Sequence, residues 1–359
     1  MSTPLYLLTG FLGSGKTTLL NHLLGQADMA NTLVIINEFG EIGLDHLLVA
    51  HSNEDAVVEM SSGCLCCTIR GDLVKTLSDA GWRFSRGGQR QFDRVIIETT
   101  GLADPVPIIH TLMTDAKLAE QYRLQGVLTV VDQCNGQSTL DNHDEAIKQV
   151  AMASKLLLSK ADQSRAEDQS LIQQRLRRIN PTADQTPLTH GQIEVTQLFD
   201  ANRYDPREPA LDSLSWIGQS AGKSLFRPLA AEPGGLLSPN HQHDHDQDHH
   251  HDVNRHSDDI TAYCYRFSEP FSLPMIFAWL ESLLGLTGPN MLRVKGVINV
   301  DGQRGPVVIH GVQHIFHPPV YLDEWPDDDH DSRLVFITRK IPEHLIQATL
   351  EHLQPRDVA

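Results

Sequence analysis

The sequence predicts an α/β fold: a mostly parallel sheet with helices on both faces, followed by a smaller α+β domain. Three observations predict it. Short apolar, β-branched runs alternate with amphipathic stretches over residues 1–205. A glycine-rich turn joins the first run to the first helix. The pattern then breaks at 206–257 and resumes as a β-α-β-β-β-α order over 258–359. At 359 residues the chain is long enough for about two domains with separate cores.

The first run, Leu5–Leu8, reads as a buried strand and Lys16–Leu24 as a helix. Between them Gly10-Phe11-Leu12-Gly13-Ser14-Gly15-Lys16-Thr17 fits the phosphate-loop pattern G-x-x-x-x-G-K-[ST], with Thr18 opening the helix. Glycines let backbone N–H groups converge on phosphate oxygens, and the helix N-terminus adds partial positive charge. Lys16 supplies a full charge for the β- and γ-phosphates, and the Thr17 hydroxyl can ligate Mg²⁺. The motif and its strand–loop–helix context predict the parallel sheet of a P-loop NTPase.

Leu33–Ile36 is the next strand, and Asn37–Asp45 follows as a loop with three acids, among them Glu41. It suits a segment that senses the γ-phosphate and Mg²⁺. After Ala56–Glu59 come Cys64, Cys66 and Cys67, three thiols within four residues. Thiolates suit Zn²⁺ or Cu⁺ and are poor ligands for Mg²⁺ or Ca²⁺. Cys64 and Cys66 share a face if the chain is extended, Cys64 and Cys67 if a helix begins there. A further ligand would come from elsewhere.

Arg94–Ile97 is a strand tipped by Glu98, with Gly101 beyond it. A carboxylate here can hold Mg²⁺, directly or through water, and Gly101 lets a backbone N–H approach the γ-phosphate. Lys16, Thr17, Glu98 and Gly101 are the candidate catalytic residues. Val127–Val131 ends in Asp132; His143 and Asp144 read as ordinary surface, and Cys134 as a lone thiol. Lys155–Leu158 is a strand closed by Ser159-Lys160-Ala161-Asp162, which resembles the guanine-reading N/T-K-x-D motif. An acceptor-only carboxylate at Asp162 takes both donors of guanine and repels N1 of adenine, which favours GTP over ATP. The alternative for Asp162 is a helix N-cap.

Together these marks resemble the CobW-like family of phosphate-loop GTPases, relatives of the nickel-insertion GTPases. They are G-F-L-G-S-G-K-T (10–17), N-E-F-G-E (37–41), G-C-L-C-C (63–67), E-T-T-G-L-A-D-P (98–105) and S-K-A-D (159–162). The resemblance implies a GTP-hydrolysing metal chaperone with Zn²⁺ at the cysteines, Co²⁺ or Ni²⁺ being alternatives, and a client metalloprotein as partner. Nucleotide-dependent self-association is consistent with it. A zinc buffer or sensor with structural nucleotide is the rival reading, and an ATP-using kinase a weaker one.

Residues 206–257 read as a linker. Within it His241, His243, His245, His249, His250 and His251 are interspersed with Asp. Imidazoles at this density can collect Zn²⁺, Ni²⁺ or Co²⁺ in many loose arrangements. Beyond it, Thr261–Phe267, Leu292–Val300, Val307–Phe316 and Leu334–Thr338 read as strands, and Leu273–Leu284 and Glu343–Leu353 as helices. The motifs around Arg293–Gly296 and His310–Val312 resemble the family's C-terminal domain more loosely.

The net charge of −17 argues against nucleic acid and anionic membrane surfaces as partners. No apolar run approaches the roughly 20 residues that span a bilayer, and the N-terminus lacks the basic start of a signal peptide. Five cysteines, three of them clustered, predict reduced thiols in a cytoplasmic protein.

Overall fold

The computed structural model describes residues 2–37, 57–59, 68–86, 89–188, 190–199, 259–313, 315–316, 318–325 and 328–351, with the short pairs 204–205, 208–209 and 227–228. The first sheet has seven parallel strands: β1 (Thr3–Gly10), β2 (Thr32–Asn37), β3 (Val57–Glu59), β4 (Arg94–Thr99), β5 (Tyr122–Asp132), β6 (Lys155–Ser159) and β7 (Asp184–Pro187). Their spatial order is β3-β2-β4-β1-β5-β6-β7. The order reverses around β1, and ligands of open parallel sheets bind at such a switch point, beyond the strands' carboxyl ends.

The central strands β1, β2, β4, β5 and β6 are buried on both faces, as a parallel sheet covered by helices requires. Leu5, Leu7, Leu33, Ile35, Val95 and Ile97 point one way, and Tyr6, Leu8, Val34 and Ile96 the other. Helix α1 (Lys16–Leu24) buries Leu19, Leu20 and Leu23 on the second face, each contributing about 1.5–3 kcal/mol. The first face is covered by α2 (Thr68–Arg83), α3 (Val106–Thr114), α4 (Ala116–Gln121), α5 (Gly136–Asn142), α6 (Asp144–Met152) and α7 (Ala166–Ile179). Sequence periodicity misses β7. Its residues, Asp-Gln-Thr-Pro, are polar and only half-buried, as an edge strand allows.

The C-terminal part is an antiparallel sheet of β8 (Ile260–Phe267), β9 (Met291–Ile298), β10 (Val307–Val312) and β11 (Ser332–Arg339), ordered β8-β11-β9-β10. Helices α8 (Leu273–Thr287) and α9 (Glu343–Glu351) pack on one face, through Ile276, Trp279, Leu283, Ile346 and Leu350. The run read as one strand, 307–316, is broken: Gln313 has φ 51°, and Ile315–Phe316 folds back on β10. Arg227 and Pro228, inside the stretch read as linker, pair in parallel with Tyr265 and Arg266 of β8.

The other face of this sheet meets the first domain. Ile260, Leu292, Val312 and Ile337 share one apolar cluster with Ile147, Val150, Ile172 and Leu176 of α6 and α7. Arg293 is fully buried at this seam and donates to the carbonyls of Met152 (2.6 Å) and Ala153, the C-terminal end of α6. Burial pulls its guanidinium down to about 10, so it still carries its charge at neutral pH against the negative end of the helix. At the other end of α6, Arg339 pairs with Asp144 at 2.6 Å.

Candidate active site

Leu8 of β1 lies in register with Glu98 of β4, so the loops that leave these two strands emerge side by side. Gly15 closes the first loop in the left-handed region, φ 101°, where a side chain would be strained, and α1 starts at the next residue. The second loop presses on the first at Gly101, where an added Cβ would stand 2.6 Å from the backbone nitrogen of Leu12. A glycine is required there because, besides the Leu12 side chain, the Cβ would meet Leu12 backbone, which cannot swing aside.

A cleft of about 310 Å³ lies between the loops, lined among others by Gly13, Gly15, Lys16, Thr17, Thr18, Glu98, Gly101 and Lys160. Lys16 Nζ donates to the loop's own carbonyls, Gly10 O at 2.9 Å and Phe11 O at 3.3 Å. Glu98 is buried and Thr17 exposed. Gly10 and Ser14 shape the loop without lining the cleft, and Ser14 borders a second cavity of about 270 Å³ on the loop's far side.

Ser159 Oγ donates to Ser14 O at 2.6 Å and so ties the guanine-motif strand to the phosphate loop. Lys160 has φ 57°, which turns its side chain back to donate to Gly13 O and Asp132 Oδ2, both at 2.8 Å. Asp162 sits in a short turn, Ala161–Gln163, before α7 and caps no helix. Its carboxylate lies 3.5 Å from Nδ1 of His190.

Several residues with roles here carry no sequence signal. Asp132 accepts from Lys160, from Asn135 Nδ2 and from the backbone N–H groups of Cys134 and Asn135. Burial pushes its carboxyl up, but these hydrogen bonds outweigh burial and hold it below the usual carboxylate range. His143 and Asp144 are not ordinary surface: His143 stacks on Phe11 of the phosphate loop with ring centres 4.4 Å apart, and Asp144 holds Arg339. Gln149 donates to Gly101 O at 3.1 Å and Ala103 O at 3.0 Å, and Lys148 pairs with Asp104 at 2.8 Å. Cys134 is exposed, and its thiol donates to Lys160 O.

Glu41, Cys64, Cys66, Cys67, His241, His243, His245, His249, His250 and His251 lie outside the described residues. Among the described residues no group of three or more His, Cys, Asp or Glu side chains is placed to hold a metal ion, and no helix is long and apolar enough to cross a membrane.

Comparison with known proteins places the chain. Residues 4–187 match the CobW/HypB/UreG nucleotide-binding domain, and residues 260–354 the cobalamin synthesis protein CobW C-terminal domain. The zinc chaperone YjiA of Escherichia coli is 30% identical over 348 residues, 97% of this chain and 98% of its own. The zinc-regulated GTPase metalloprotein activator 1 of Schizosaccharomyces pombe is 28% identical over 330 residues, 87% of this chain and 76% of its own. The crystal structure of Zn(II)-bound YjiA GTPase from E. coli superposes with a TM-score of 0.68 at 28% identity, covering 99% of both chains. With its phosphate loop, the acid-tipped strand β4 and both domain matches in place, the chain belongs to the CobW/HypB/UreG family of phosphate-loop GTPases.

Proposed function

We propose that the chain is a metal chaperone that hydrolyses GTP and hands Zn²⁺, bound at Cys64, Cys66 and Cys67, to a client protein. One observation carries the catalytic half: Lys16, Thr17, Glu98 and Gly101 surround a single cleft. Two of its relatives, a zinc chaperone and a zinc-regulated GTPase metalloprotein activator, support the metal half.

The residues fit the chemistry. When GTP enters, its phosphates offer Lys16 better acceptors than the carbonyls of Gly10 and Phe11, and the ammonium follows the charge that grows as the γ-phosphoryl group leaves. Gly101 brings backbone against the phosphate loop, where its loop can answer the presence of the γ-phosphate. Asp162 takes the two donors of guanine, and Lys160 braces the loop beneath. Thr17 and Glu98 are hard oxygen donors on the same cleft and fit Mg²⁺, which when bound neutralises phosphate charge. Three thiolates fit Zn²⁺ best; raw affinity alone does not exclude Co²⁺ or Ni²⁺.

The test is GTP hydrolysis by metal-free protein, with and without buffered Zn²⁺, beside Cys66→Ala. A rate that responds to Zn²⁺ in the parent and not in the variant joins the thiols to the GTPase. Turnover indifferent to Zn²⁺ would leave a zinc buffer in which nucleotide and metal act apart.

A further inference from the structure

We propose that Gln149 is a positioning residue for GTP hydrolysis. It would hold the Thr100–Asp104 turn from behind, and α6 would make that hold rigid. The inference rests on the reading above that this turn answers the γ-phosphate.

Gln149 is a polar side chain in the middle of α6 and only 1% exposed. Both hydrogens of its amide are spent on one turn, at Gly101 O and Ala103 O. The turn is closed from within by Ala103 N–H donating to Thr100 O at 3.1 Å. The carbonyls of three of its residues are thus engaged within the turn or at α6, while Thr100 and Gly101 line the nucleotide cleft. The amide has one workable orientation, because flipping it would set its oxygen against two carbonyl oxygens. In that orientation Oε1 is buried with no hydrogen-bond partner among the described residues, although Gln149 borders the 270 Å³ cavity. An unpaired buried acceptor is a cost that packing alone does not explain.

The helix behind Gln149 is held at both ends and in its middle. Thr129 Oγ1 of β5 donates to Gln149 O at 3.0 Å. Lys148 adds a second tie to the turn through Asp104. His143 stacks on the phosphate loop, and Arg339 and Arg293 hold the two ends of α6 from the C-terminal sheet. A turn that must be placed to within a fraction of an ångström therefore leans on an element anchored in both domains.

The experiment measures kcat, KM and the affinities for GDP and a non-hydrolysable GTP analogue, with hydrogen exchange over 99–105, in the full chain and two variants. In the parent, the analogue slows exchange in 99–105 relative to GDP. Gln149→Met keeps the volume without the donors. It should bind GDP within about twofold of the parent, lose about tenfold of the preference for the analogue, and lose about tenfold in kcat. Gln149→Glu places a carboxyl against two carbonyls, so its own pKa rises and protonation restores one donor. Its kcat, relative to the parent, should recover as pH falls, while that of Gln149→Met does not. If Gln149→Met unfolds, this pH profile decides the question alone. Unchanged kcat and preference in Gln149→Met, equal loss of GDP and analogue, or a flat relative profile for Gln149→Glu overturns the role of Gln149. Exchange over 99–105 that ignores the γ-phosphate in the parent overturns the reading of the turn, and the proposal with it.

Discussion

Asp132 shows how one side chain organises the site without touching the cleft. Four donors converge on it, and one is the lysine that also braces Gly13. Its folded pKa lies below the unfolded one, so its contribution to stability is present above the ordinary carboxylate value, near 3.9, and is lost as pH falls through the folded value. Asp132→Asn should cost about 1.5–3 kcal/mol at pH 7, the range for hydrogen bonds to a charged group. The gap should begin to narrow below the ordinary carboxylate value and close only once the pH has fallen below the lowered folded value, where the native carboxyl is protonated. Urea titrations of both proteins over a series of pH values from neutral into strong acid check it; a gap that stays constant throughout would mean the carboxylate charge contributes nothing.

Helix α6 is the element that sequence reasoning undervalued. Its ends are held by two arginines in different surroundings, and the difference sets two magnitudes. Arg293 is fully buried against the carbonyls of Met152 and Ala153, so Arg293→Ala strands both and should cost about 3 kcal/mol or more. Arg339 pairs with a half-exposed Asp144, so Arg339→Ala should cost about 1 kcal/mol or less. Equilibrium unfolding of the two variants separates these cases. The legibility of the site divides along the same line. Gly10 to Thr17 is contiguous, so its chemistry is written in one stretch, and Glu98 is announced by the apolar strand before it. Gln149 meets Gly101 across 48 positions and Arg293 meets Met152 across 141, and a short polar word such as Lys-Gln carries no mark of a partner so remote. The alternation of strands and helices made the central sheet readable; the polar edge strand β7 gave no apolar run to read.

On the scale of the molecule, the two sheets share apolar packing, because Leu292, Val312 and Ile337 join the cluster that covers the first sheet. Unfolding should therefore be one transition by probes in either part. Trp279, in the C-terminal core, reports on one, and hydrogen exchange of β1 and β5 on the other. Nucleotide at 100 times its Kd adds about 2.7 kcal/mol to whatever unfolds with the site. Both probes should move together by that amount; a shift confined to β1 and β5 would show that the C-terminal sheet unfolds on its own. The net charge of −17 favours the approach of cations over that of anionic partners on the same scale.

The pairing of Arg227 and Pro228 with the edge of β8 has a consequence for the histidine run. Residues 229–259 start at one point of that edge and return to it at Ile260, so the segment is tethered at both ends, not at one. However the chain between is arranged, its contour length keeps every imidazole within roughly 55 Å of its own sheet. A sphere of that radius around one molecule amounts to a local concentration on the order of millimolar. A metal ion caught there would be passed over short distances within one chain, and its transfer rate would not depend on protein concentration.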